Sequence, residues 1–535
     1  MNVSVIIPAH NAAKTISETL ESLRTQTHQG WEAFVIDDGS SDETAAIATS
    51  FVEKDFRVHT ISQLQMGVCA ARNTGIRLAN FDWLLFLDAD DWLLPLHLER
   101  LTGKLISNPN LDAVYCDWAR VASDGTRVSE EFCYLSGDMF PTFACRAVFP
   151  IHACVVRRSI VESVGGFDTS FRTCEEWDLW QRIARTGAQF GVISEVFALY
   201  RMQPVSTSMD GFQMLADGLR VLEQGHSHDT RVQNPHPAHV NGLPKEQLIS
   251  QKFYLSCWCA GLILGCEKDA RPLLRALKDN RYPQLDPSGV ARNIFLAALL
   301  PTCQAPSAWV QLWPRIEQCV NEFLLALEEQ SKAPGLYRRT RAVLGRLILK
   351  NSPSSRSQTV GMIHEVCVEI TEPLCDINPP KPAERIHCKL EFEGTSIGTL
   401  ELPVCDGVVS RYVFADAIAA EFFWVIIGRF FERTVYPSLS IRHEPDGASI
   451  WRGTLCLAKS LPGDEFAVRQ QLHKQVGWTV FLQEIWGCKD QPLDGFYTDD
   501  RAVSLKKVGW KTFLQEFYAS IFKTTSTSRY PLQGA

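Results

Sequence analysis

Short apolar runs alternate with amphipathic segments along the first part of the chain. Four runs rich in Val, Ile, Leu, Phe and Trp predict strands at residues 3–7, 31–36, 57–62 and 83–87. Apolar positions at helical spacing predict helices at residues 14–25 and 70–78. Strands that are apolar on both faces and separated by helices are typical of a parallel sheet covered on both sides. The pattern predicts an α/β domain over residues 1–224, with its ligand site beyond the carboxyl ends of the strands.

The pattern changes after this domain. Residues 225–244 are rich in His, Asn and Pro and are interpreted as a linker, residues 245–350 carry long helical apolar patterns, and residues 351–359 are interpreted as a second linker. Residues 360–450 predict a smaller α+β module, because alternating residues around Leu390 and a turn at Gly394 indicate a hairpin and residues 410–432 indicate a long helix.

The C-terminal part, residues 451–535, contains an internal repeat. Its first copy joins Val-Gly-Trp at residues 476–478 to Phe-Leu-Gln-Glu at residues 481–484, and its second copy does the same at residues 508–510 and 513–516. Two copies at one spacing indicate a duplicated packing unit. The repeated aromatic residues are interpreted as core positions of a small helical module, with a carbohydrate-binding platform as the alternative.

Composition limits the class of protein. A chain of 535 residues is expected to form roughly two to four domains. The formal net charge of −8 disfavours nucleic-acid binding, which normally needs a basic surface. The 17 cysteines are scattered without a CxxC pair, which predicts reduced thiols in a reducing compartment. The N-terminus has no basic region before its short apolar run, so we expect a cytoplasmic location with at most peripheral membrane contact.

Carboxylates follow two of the predicted strands. Asp37 and Asp38 end the second strand before a Gly-Ser turn, where they can bind a base and a ribose or simply form the turn. Asp88, Asp90 and Asp91 follow the fourth strand. In an extended chain the side chains of Asp88 and Asp90 project to one face and can meet one ion. Mg²⁺ and Mn²⁺ prefer such oxygen ligands and often take only one or two from protein.

A third acidic group begins a later helix. Glu175 and Glu176 precede Trp180, Ile183 and Ala184, which mark the inward face of that helix. Glu176 lies four residues before Trp180 and therefore projects from the first turn onto the same face. A carboxylate directed at a buried site is typical of a general base, whereas acids in a first turn also stabilise the helix dipole.

These stretches together resemble glycosyltransferase family 2, the inverting enzymes of GT-A fold. The resemblance covers about residues 1–209. It rests on motifs at residues 7–11, 37–42, 67–75, 86–91, 165–168, 175–180 and 200–201. It implies a Rossmann-like, mostly parallel sheet with helices on both faces, followed here by the helical region and the smaller α+β region.

The resemblance also implies roles for individual residues. Pro8, Asn11 and Asp37 or Asp38 would contact the nucleotide, and Arg72 would lie near the donor. Asp88 and Asp90 would form the family's DXD pair, with Asp90 as the more direct ligand of Mn²⁺ or Mg²⁺. The family's base is the second acid of a Glu-Asp pair; here that position is Glu176, one methylene longer, and Glu175 is the fallback. Arg201 would assist the metal in stabilising the leaving diphosphate.

The implied reaction moves a sugar from a nucleotide-diphosphate-sugar, with a UDP-sugar favoured, to an acceptor hydroxyl. The acceptor would be a glycan, a lipid-linked sugar, a protein or a small molecule, and a homo-oligomer is compatible with the sequence. Two alternatives are a nucleotidyltransferase, disfavoured because no Gly-rich turn follows the first strand, and a catalytically inactive nucleotide-sugar-binding scaffold. The family assignment requires the three acidic groups to converge on one cation and its diphosphate.

Overall fold

The computed structural model divides the chain into two compact units. One unit contains Met1–Leu285 and Gly289–Pro334, and the other contains Asp286–Ser288 and Gly335–Ala535. The structure describes residues 1–122, 125–203, 206–351, 362–370, 372, 374–405, 407–411, 413–415, 417, 418, 421, 422, 425, 426, 439–443, 448–453 and 460–462.

A ten-stranded sheet forms the centre of the first unit. Its strands are β1 (Val3–Ala9), β2 (Trp31–Asp38), β3 (Val58–Gln63), β4 (Trp83–Phe86), β5 (Trp92–Leu93), β6 (Ala113–Val121), β7 (Arg127–Glu131), β8 (Gly137–Asp138), β9 (Cys154–Arg157) and β10 (Gln189–Arg201). The main order is β3-β2-β1-β4-β9-β6-β10-β5, with β7 beside β6 and β8 beside β10. The four strands predicted from the apolar runs are all present.

The sheet is parallel in its N-terminal half and mixed beyond it. Strands β3, β2, β1 and β4 are parallel to one another, and β6 is parallel to β10. Strand β9 is antiparallel to both β4 and β6, so it joins the two parallel parts. The carboxyl ends of β1, β2 and β4 therefore lie along one edge, as the alternating pattern predicts.

Helices follow most of the strands and complete this unit. They are α1 (Ile16–Arg24), α2 (Thr44–Lys54), α3 (Val68–Leu78), α4 (His97–Ser107), α5 (Phe140–Phe143), α6 (Arg158–Ser163), α7 (Glu175–Arg185), α8 (Gly211–Gly225), α9 (Lys245–Gly265), α10 (Pro287–Ala298) and α11 (Trp309–Ser331). Both faces of the sheet are buried. In β2, Ala33 and Val35 join the main core, while Phe34 and Ile36 pack with Ala71 of α3 on the opposite face.

Residues 225–244 differ from the predicted linker because they pack onto α7. The Leu243 amide donates to the Gly225 carbonyl at 2.9 Å, and the His236 amide donates to the Arg185 carbonyl at 2.8 Å. The buried guanidinium of Arg185 donates to the His239 carbonyl at 2.7 Å. Two of the histidines that indicated a spacer, His236 and His239, instead take part in these contacts. The first compact unit therefore continues through this segment and through α9 and α11, past the boundaries predicted at residues 224 and 244.

Helix α9 is the single helix among the described residues that is long and apolar enough to cross a membrane. Just over half of its most apolar stretch is buried inside the unit. Its buried side includes Phe253, Cys257 and Leu264. A buried core helix meets the same length and composition criteria, so this feature is weak support for a membrane span. The cytoplasmic location stays a prediction.

The second unit contains helix α12 (Leu336–Lys350) and two three-stranded sheets. The strands are β11 (Met362–Glu369), β12 (Ala383–Phe392), β13 (Thr395–Pro403), β14 (Leu439–His443), β15 (Ala448–Gly453) and β16 (Ser460–Pro462). Strands β12 and β13 form the predicted hairpin, with Gly394 in the turn at φ +71°. The predicted helix at 410–432 is described only in part. The internal repeat and residues 352–359 of the second linker lie outside the described residues.

We predict that Gly75→Ala destabilises the first unit, although alanine is normally the better helix former. A Cβ at position 75 of α3 would lie 2.3 Å from Cγ2 of Ile6 in β1, so the helix must move away from the sheet. Overpacking of this kind costs about 1–3 kcal/mol, which exceeds the 0.5–1 kcal/mol that the change gives in an open helix. Chemical denaturation of the two proteins measures the difference.

Gly103→Ala is the matched control for this change. Gly103 also lies in a helix, α4, but a Cβ there meets nothing within 4 Å. We expect Gly103→Ala to be neutral or slightly stabilising. Equal effects of the two substitutions would contradict the close packing of α3 on β1.

Candidate active site

The acids that follow β4 lie in a tight turn. Strand β4 ends at Phe86, and the Asp91 amide donates to the Asp88 carbonyl at 3.1 Å. The extended geometry assumed for Asp88 and Asp90 is therefore not the one observed. The turn nevertheless keeps the carboxylates close to one another. Burial, followed by the charges of Asp91 and Asp88, therefore raises the pKa of Asp90 to about 8.

Arg72 joins this turn to the helix that carries the other acids. It lies in α3 and is 2% exposed. Its Nη2 lies 2.7 Å from Oδ1 of Asp88, and its Nη1 lies 2.9 Å from Oε1 of Glu175. The guanidinium also lies over the ring of Phe167, 5.1 Å from its centroid. The family resemblance implied that Arg72 lies near the donor, which stays a prediction. In the structure Arg72 bridges Asp88 and Glu175, which are 87 positions apart in the chain.

Glu176 lies beside this bridge at the start of α7. Its side chain is half-buried, and its Oε2 accepts a hydrogen bond from the Ile151 amide at 3.0 Å. Burial, followed by the charge of Glu175, raises the pKa of Glu176 to about 8. A helix N-terminus favours the ionised form, so the desolvation and the neighbouring charge outweigh the helix dipole here.

The side chains of Asp90 and Asp91 contact different residues outside the turn. Oδ2 of Asp90 accepts from Nε2 of Gln203 at 2.7 Å. Asp91 is fully buried, and its Oδ1 accepts from the Arg201 amide at 2.7 Å while its Oδ2 lies 3.0 Å from Nδ1 of His152. Burial alone would lower the pKa of His152. The negative charge of Asp91 outweighs this effect of burial, so the pKa of His152 is raised.

His152 and Gln203 are site residues that the sequence did not indicate. His152 stands alone in an apolar stretch, where a histidine usually has only a packing role. The ring of His152 is parallel to that of Tyr200, with centroids 6.3 Å apart. A signal was available in Asp91, since a third acid after a buried strand needs a buried partner.

Arg201 is held under the same turn. Its Nε donates to the Asp90 carbonyl at 2.8 Å, and its Nη2 pairs with Glu18 of α1. The guanidinium lies 4.2 Å from the ring centroid of Trp92. Arg201 is thus in direct contact with the acidic turn, and its predicted contact with a diphosphate stays a prediction.

Asp37 and Asp38 at the end of β2 are both buried and hold the adjacent loops. Asp38 accepts from the Met66 amide at 2.9 Å and from the Gly67 amide at 2.8 Å. Oδ1 of Asp37 accepts from the Ser40 amide at 3.2 Å. Asp37 thus forms the local turn contact, which is one of the two alternatives that the sequence left open, whereas Asp38 binds the loop before α3. Through Gly67, Asp38 fixes the start of α3 and hence the helix that carries Arg72.

Pro8 and Asn11 belong to the end of β1. Pro8 is buried and lies opposite Ile36 of β2. Asn11 has φ +51°, its amide donates to Oγ of Ser40 at 3.0 Å, and its Oδ1 accepts from the Ser41 amide at 2.8 Å. These bonds tie the loop after β1 to the loop after β2.

The predicted residues therefore form two groups on one edge of the sheet, so two of the three acidic groups converge and the group at Asp37 and Asp38 lies apart. Asp88, Asp90 and the two glutamates of α7 form one acidic group around Arg72. Pro8, Asn11, Asp37 and Asp38 form the second group, at β1 and β2. Strand β2 is two positions from β4, so the groups are separated by roughly 10 Å across the strands.

No cluster of three or more His, Cys, Asp or Glu in the described part of the chain is arranged to hold a metal by itself. A hard divalent cation bound partly by phosphates needs fewer protein ligands than such a cluster supplies. Asp88 and Asp90 offer carboxylate oxygens of the required type. Burial, followed by the charges of Asp91 and Asp88, raises the pKa of Asp90, and a cation would offset those negative charges.

Comparison with known proteins identifies this part of the chain. Residues 4–165 match the family model described as glycosyl transferase family 2. Residues 4–165 of the chain are thus similar to glycosyl transferase family 2. The match contains the β1, β2 and β4 edge with the acidic turn, and it confirms the resemblance to the family. It ends before α7.

Known relatives match part of the chain at moderate identity. The uncharacterized glycosyltransferase EpsJ of Bacillus subtilis is 35% identical over 122 residues, which is 23% of this chain and 35% of EpsJ. The O-antigen biosynthesis protein RfbC of Myxococcus xanthus is 26% identical over 313 residues, 54% of this chain and 23% of RfbC. The chain thus spans about a third or less of the length of these two relatives.

Solved glycosyltransferases show distant structural similarity. S. aureus TarS (residues 1–349) in complex with UDP has a TM-score of 0.38 at 14% identity, covering 64% of this chain and 90% of that one. The mannosyltransferase PcManGT of Pyrobaculum calidifontis, in complex with GDP-Man and Mn²⁺, has a TM-score of 0.37 at 18% identity, covering 60% and 87%.

We predict that the Glu176 carboxyl makes stability fall as pH rises. Its folded pKa of about 8 lies above the ordinary value of 4.5, so between these values the folded state binds more protons than the unfolded state. Its contribution is complete below about pH 4.5 and is lost as pH rises through about 8. Glu176→Gln removes this ionisable group, so the unfolding free energy of the variant should not fall in this way. The difference in unfolding free energy between the variant and the wild type should therefore increase from about pH 4.5 to about pH 8.

Denaturant titrations of the metal-free protein at several pH values measure this difference. Glu99→Gln, at an exposed position in α4, controls for the removal of one negative charge. A gain for Glu176→Gln that is independent of pH would show that Glu176 ionises normally.

Proposed function

We propose that the protein is an inverting glycosyltransferase that transfers a sugar from a nucleotide-diphosphate-sugar, with a UDP-sugar favoured, to an acceptor hydroxyl. One observation carries the proposal: within a family 2 domain, Arg72 brings the acidic turn after β4 and the two glutamates of α7 into one site. Such a site combines oxygen ligands for a cation with a carboxylate of raised pKa, which are the two parts that a single displacement requires.

The nucleotide end of the donor is assigned to the loops after β1 and β2. Asn11, Ser40 and Ser41 form a hydrogen-bonded rim there, and Asp37 and Asp38 lie buried beneath it. This rim and the acidic turn share the carboxyl edge of the parallel strands, where ligands bind in sheets of this type. A donor that spans roughly 10 Å between them would place its diphosphate at Asp88 and Asp90.

The acidic turn fits a Mn²⁺ or Mg²⁺ ion. Asp90 and Asp88 would hold the ion. When bound, the ion supplies positive charge against the oxygens of the leaving diphosphate. Gln203 and Arg72 hold one oxygen of Asp90 and one of Asp88, respectively, which orients these carboxylates. Orientation of ligands by such outer contacts is general in metal sites.

Glu176 acts as the general base. Its raised pKa makes the carboxylate more basic than an ordinary glutamate, so that it accepts the proton of the acceptor hydroxyl as that oxygen attacks the anomeric carbon. The Ile151 amide holds one oxygen, Oε2, in place. Because the acceptor oxygen attacks the anomeric carbon directly, the configuration inverts and no enzyme nucleophile takes part. Glu175, which is bound to Arg72, serves to position that arginine.

A thermal-shift panel of nucleotide-sugars with and without Mn²⁺, followed by turnover assays on the hits, tests the proposal. We predict that one donor raises the melting temperature in a metal-dependent manner and is consumed with release of the nucleoside diphosphate. Asp90→Ala should abolish the metal-dependent part of both effects, because it removes the more direct ligand.

Other outcomes of this panel would replace the proposal. Full activity of Asp90→Ala would refute the metal assignment. Release of pyrophosphate from a nucleoside triphosphate would indicate a nucleotidyltransferase. Donor binding without transfer or hydrolysis of any donor would indicate an inactive scaffold.

We predict separately that Glu176→Gln retains donor binding and loses turnover. The amide keeps the shape of the side chain but cannot accept the proton, and losing a general base typically costs about 10²–10⁴-fold in rate. Calorimetric titration of the donor and steady-state kinetics measure the two properties. Glu175→Gln is the comparison. Unchanged turnover in Glu176→Gln with a large loss in Glu175→Gln would move the base to Glu175.

A further inference from the structure

The start of α7 is fixed by residues that lie beyond the family 2 match. The match ends at residue 165, whereas Glu175 and Glu176 begin α7 and the segment that packs against it runs from α8 to residue 243. Two side chains of that segment, Asp217 and Arg231, contact the loop before α7 and its first turns. Asp217 itself is buried, and Arg231 is partly buried.

Arg231 is the centre of the first set of contacts. Its Nη2 lies 2.8 Å from Oδ1 of Asp178 in α7, and its Nη1 lies 2.9 Å from Oδ2 of Asp168 in the loop before α7. Asp229 holds the guanidinium from the other side, with its Oδ1 3.0 Å from Nε. Asp178 is completely buried and is also paired with Arg182 at 2.7 Å. One arginine therefore ties the loop to the first turn of the helix.

Asp217 of α8 holds the rest of this loop. Its Oδ2 accepts from the backbone amides of Arg172 and Thr173 at 3.1 and 3.0 Å, and from Oγ1 of Thr173 at 3.1 Å. The next residue, Cys174, has φ +59°, a conformation that an L residue adopts only when its surroundings impose it. Glu175 and Glu176 follow directly as the first residues of α7, so the orientation of the start of this helix depends on these hydrogen bonds.

We propose that Arg231 and Asp217 are positioning residues for the reaction, which hold Glu176 and Glu175 in register with Arg72 and the acidic turn. This inference rests on the proposed function. A base must lie within hydrogen-bond reach of the hydroxyl it deprotonates, and a misplacement of about 1 Å can reduce the rate by about 10²-fold. Neither residue reaches the nucleotide end of the site, so their loss should change turnover and leave donor binding intact.

The chain offers a matched control for Arg231. Arg271 makes the same local contacts with Asp269, two positions earlier: its amide and its Nε each lie 2.9 Å from Oδ1. The amide and Nε of Arg231 each lie 3.0 Å from Oδ1 of Asp229. Arg271, however, is exposed and contacts Glu322 of α11 in place of the base-bearing loop. Arg271→Gln thus disrupts an equivalent Asp-X-Arg motif that makes no contact with α7.

The experiment compares Arg231→Gln, Asp217→Asn and Arg271→Gln in the full chain by steady-state kinetics with the donor varied. We expect kcat to fall about 10- to 100-fold for the first two, with donor KM close to wild type, and no change for Arg271→Gln. Arg231→Lys should recover part of the loss because it retains the charge. If Arg231→Gln does not fold, Asp217→Asn carries the test. A wild-type kcat in both variants, or a donor KM that rises as much as kcat falls, would overturn the inference.

Hydrogen exchange of the amides at residues 168–180 gives a readout that does not depend on activity. Arg231→Gln and Asp217→Asn should accelerate exchange in this segment selectively, and Arg271→Gln should not. Unchanged exchange, or acceleration spread evenly over the first unit, would also overturn the inference. If the wild-type protein transfers no sugar, the proposed function fails while the exchange result still decides whether these residues hold α7.

Discussion

The buried guanidinium of Arg72 is the interaction on which the site depends. It sits in α3 with an acid on each side, one from the turn after β4 and one from the start of α7. Without it, the carboxylates of Asp88 and Glu175 would face each other inside a poorly solvated site, and like charges in such a place repel strongly. The arginine therefore permits a concentration of negative charge that a cation and a phosphate donor can use. Its own helix is in turn anchored by Asp38 through the Gly67 amide.

The first half of the fold could be predicted from the sequence because its strands are buried on both faces. Continuous apolar runs, such as that of β1, leave few alternatives to a parallel strand flanked by helices. Strand β9 was not predictable in this way. It is a short strand antiparallel to its neighbours, and its place depends on long-range pairing with β4 and β6. Local pattern contains little information about such pairing.

The site could be predicted in part for a related reason. Acids that follow a buried strand have few structural explanations, so Asp88 and Asp90 were predicted as candidates, whereas Glu176 was predicted from its place on the inward face of α7. The partners of these acids were not. His152 and Gln203 are ordinary residues in sequence, and they acquire their roles only because the fold brings them against Asp91 and Asp90. The same holds for residues 225–244, whose His, Asn and Pro content indicates a spacer although their polar groups bond to α7.

The contact between Arg185 and the His239 carbonyl bears on where this domain can be cut. Arg185 ends α7 and is fully buried, so a gene fragment that stops near residue 224 would expose or strand a permanently charged group in an apolar setting. A buried polar group left without its hydrogen-bond partner costs about 1–3 kcal/mol, which is a noticeable share of the stability of an average domain. The smallest fragment able to fold is thus set in part by hydrogen bonding from residues 236–243, past the end of the family-model match at residue 165.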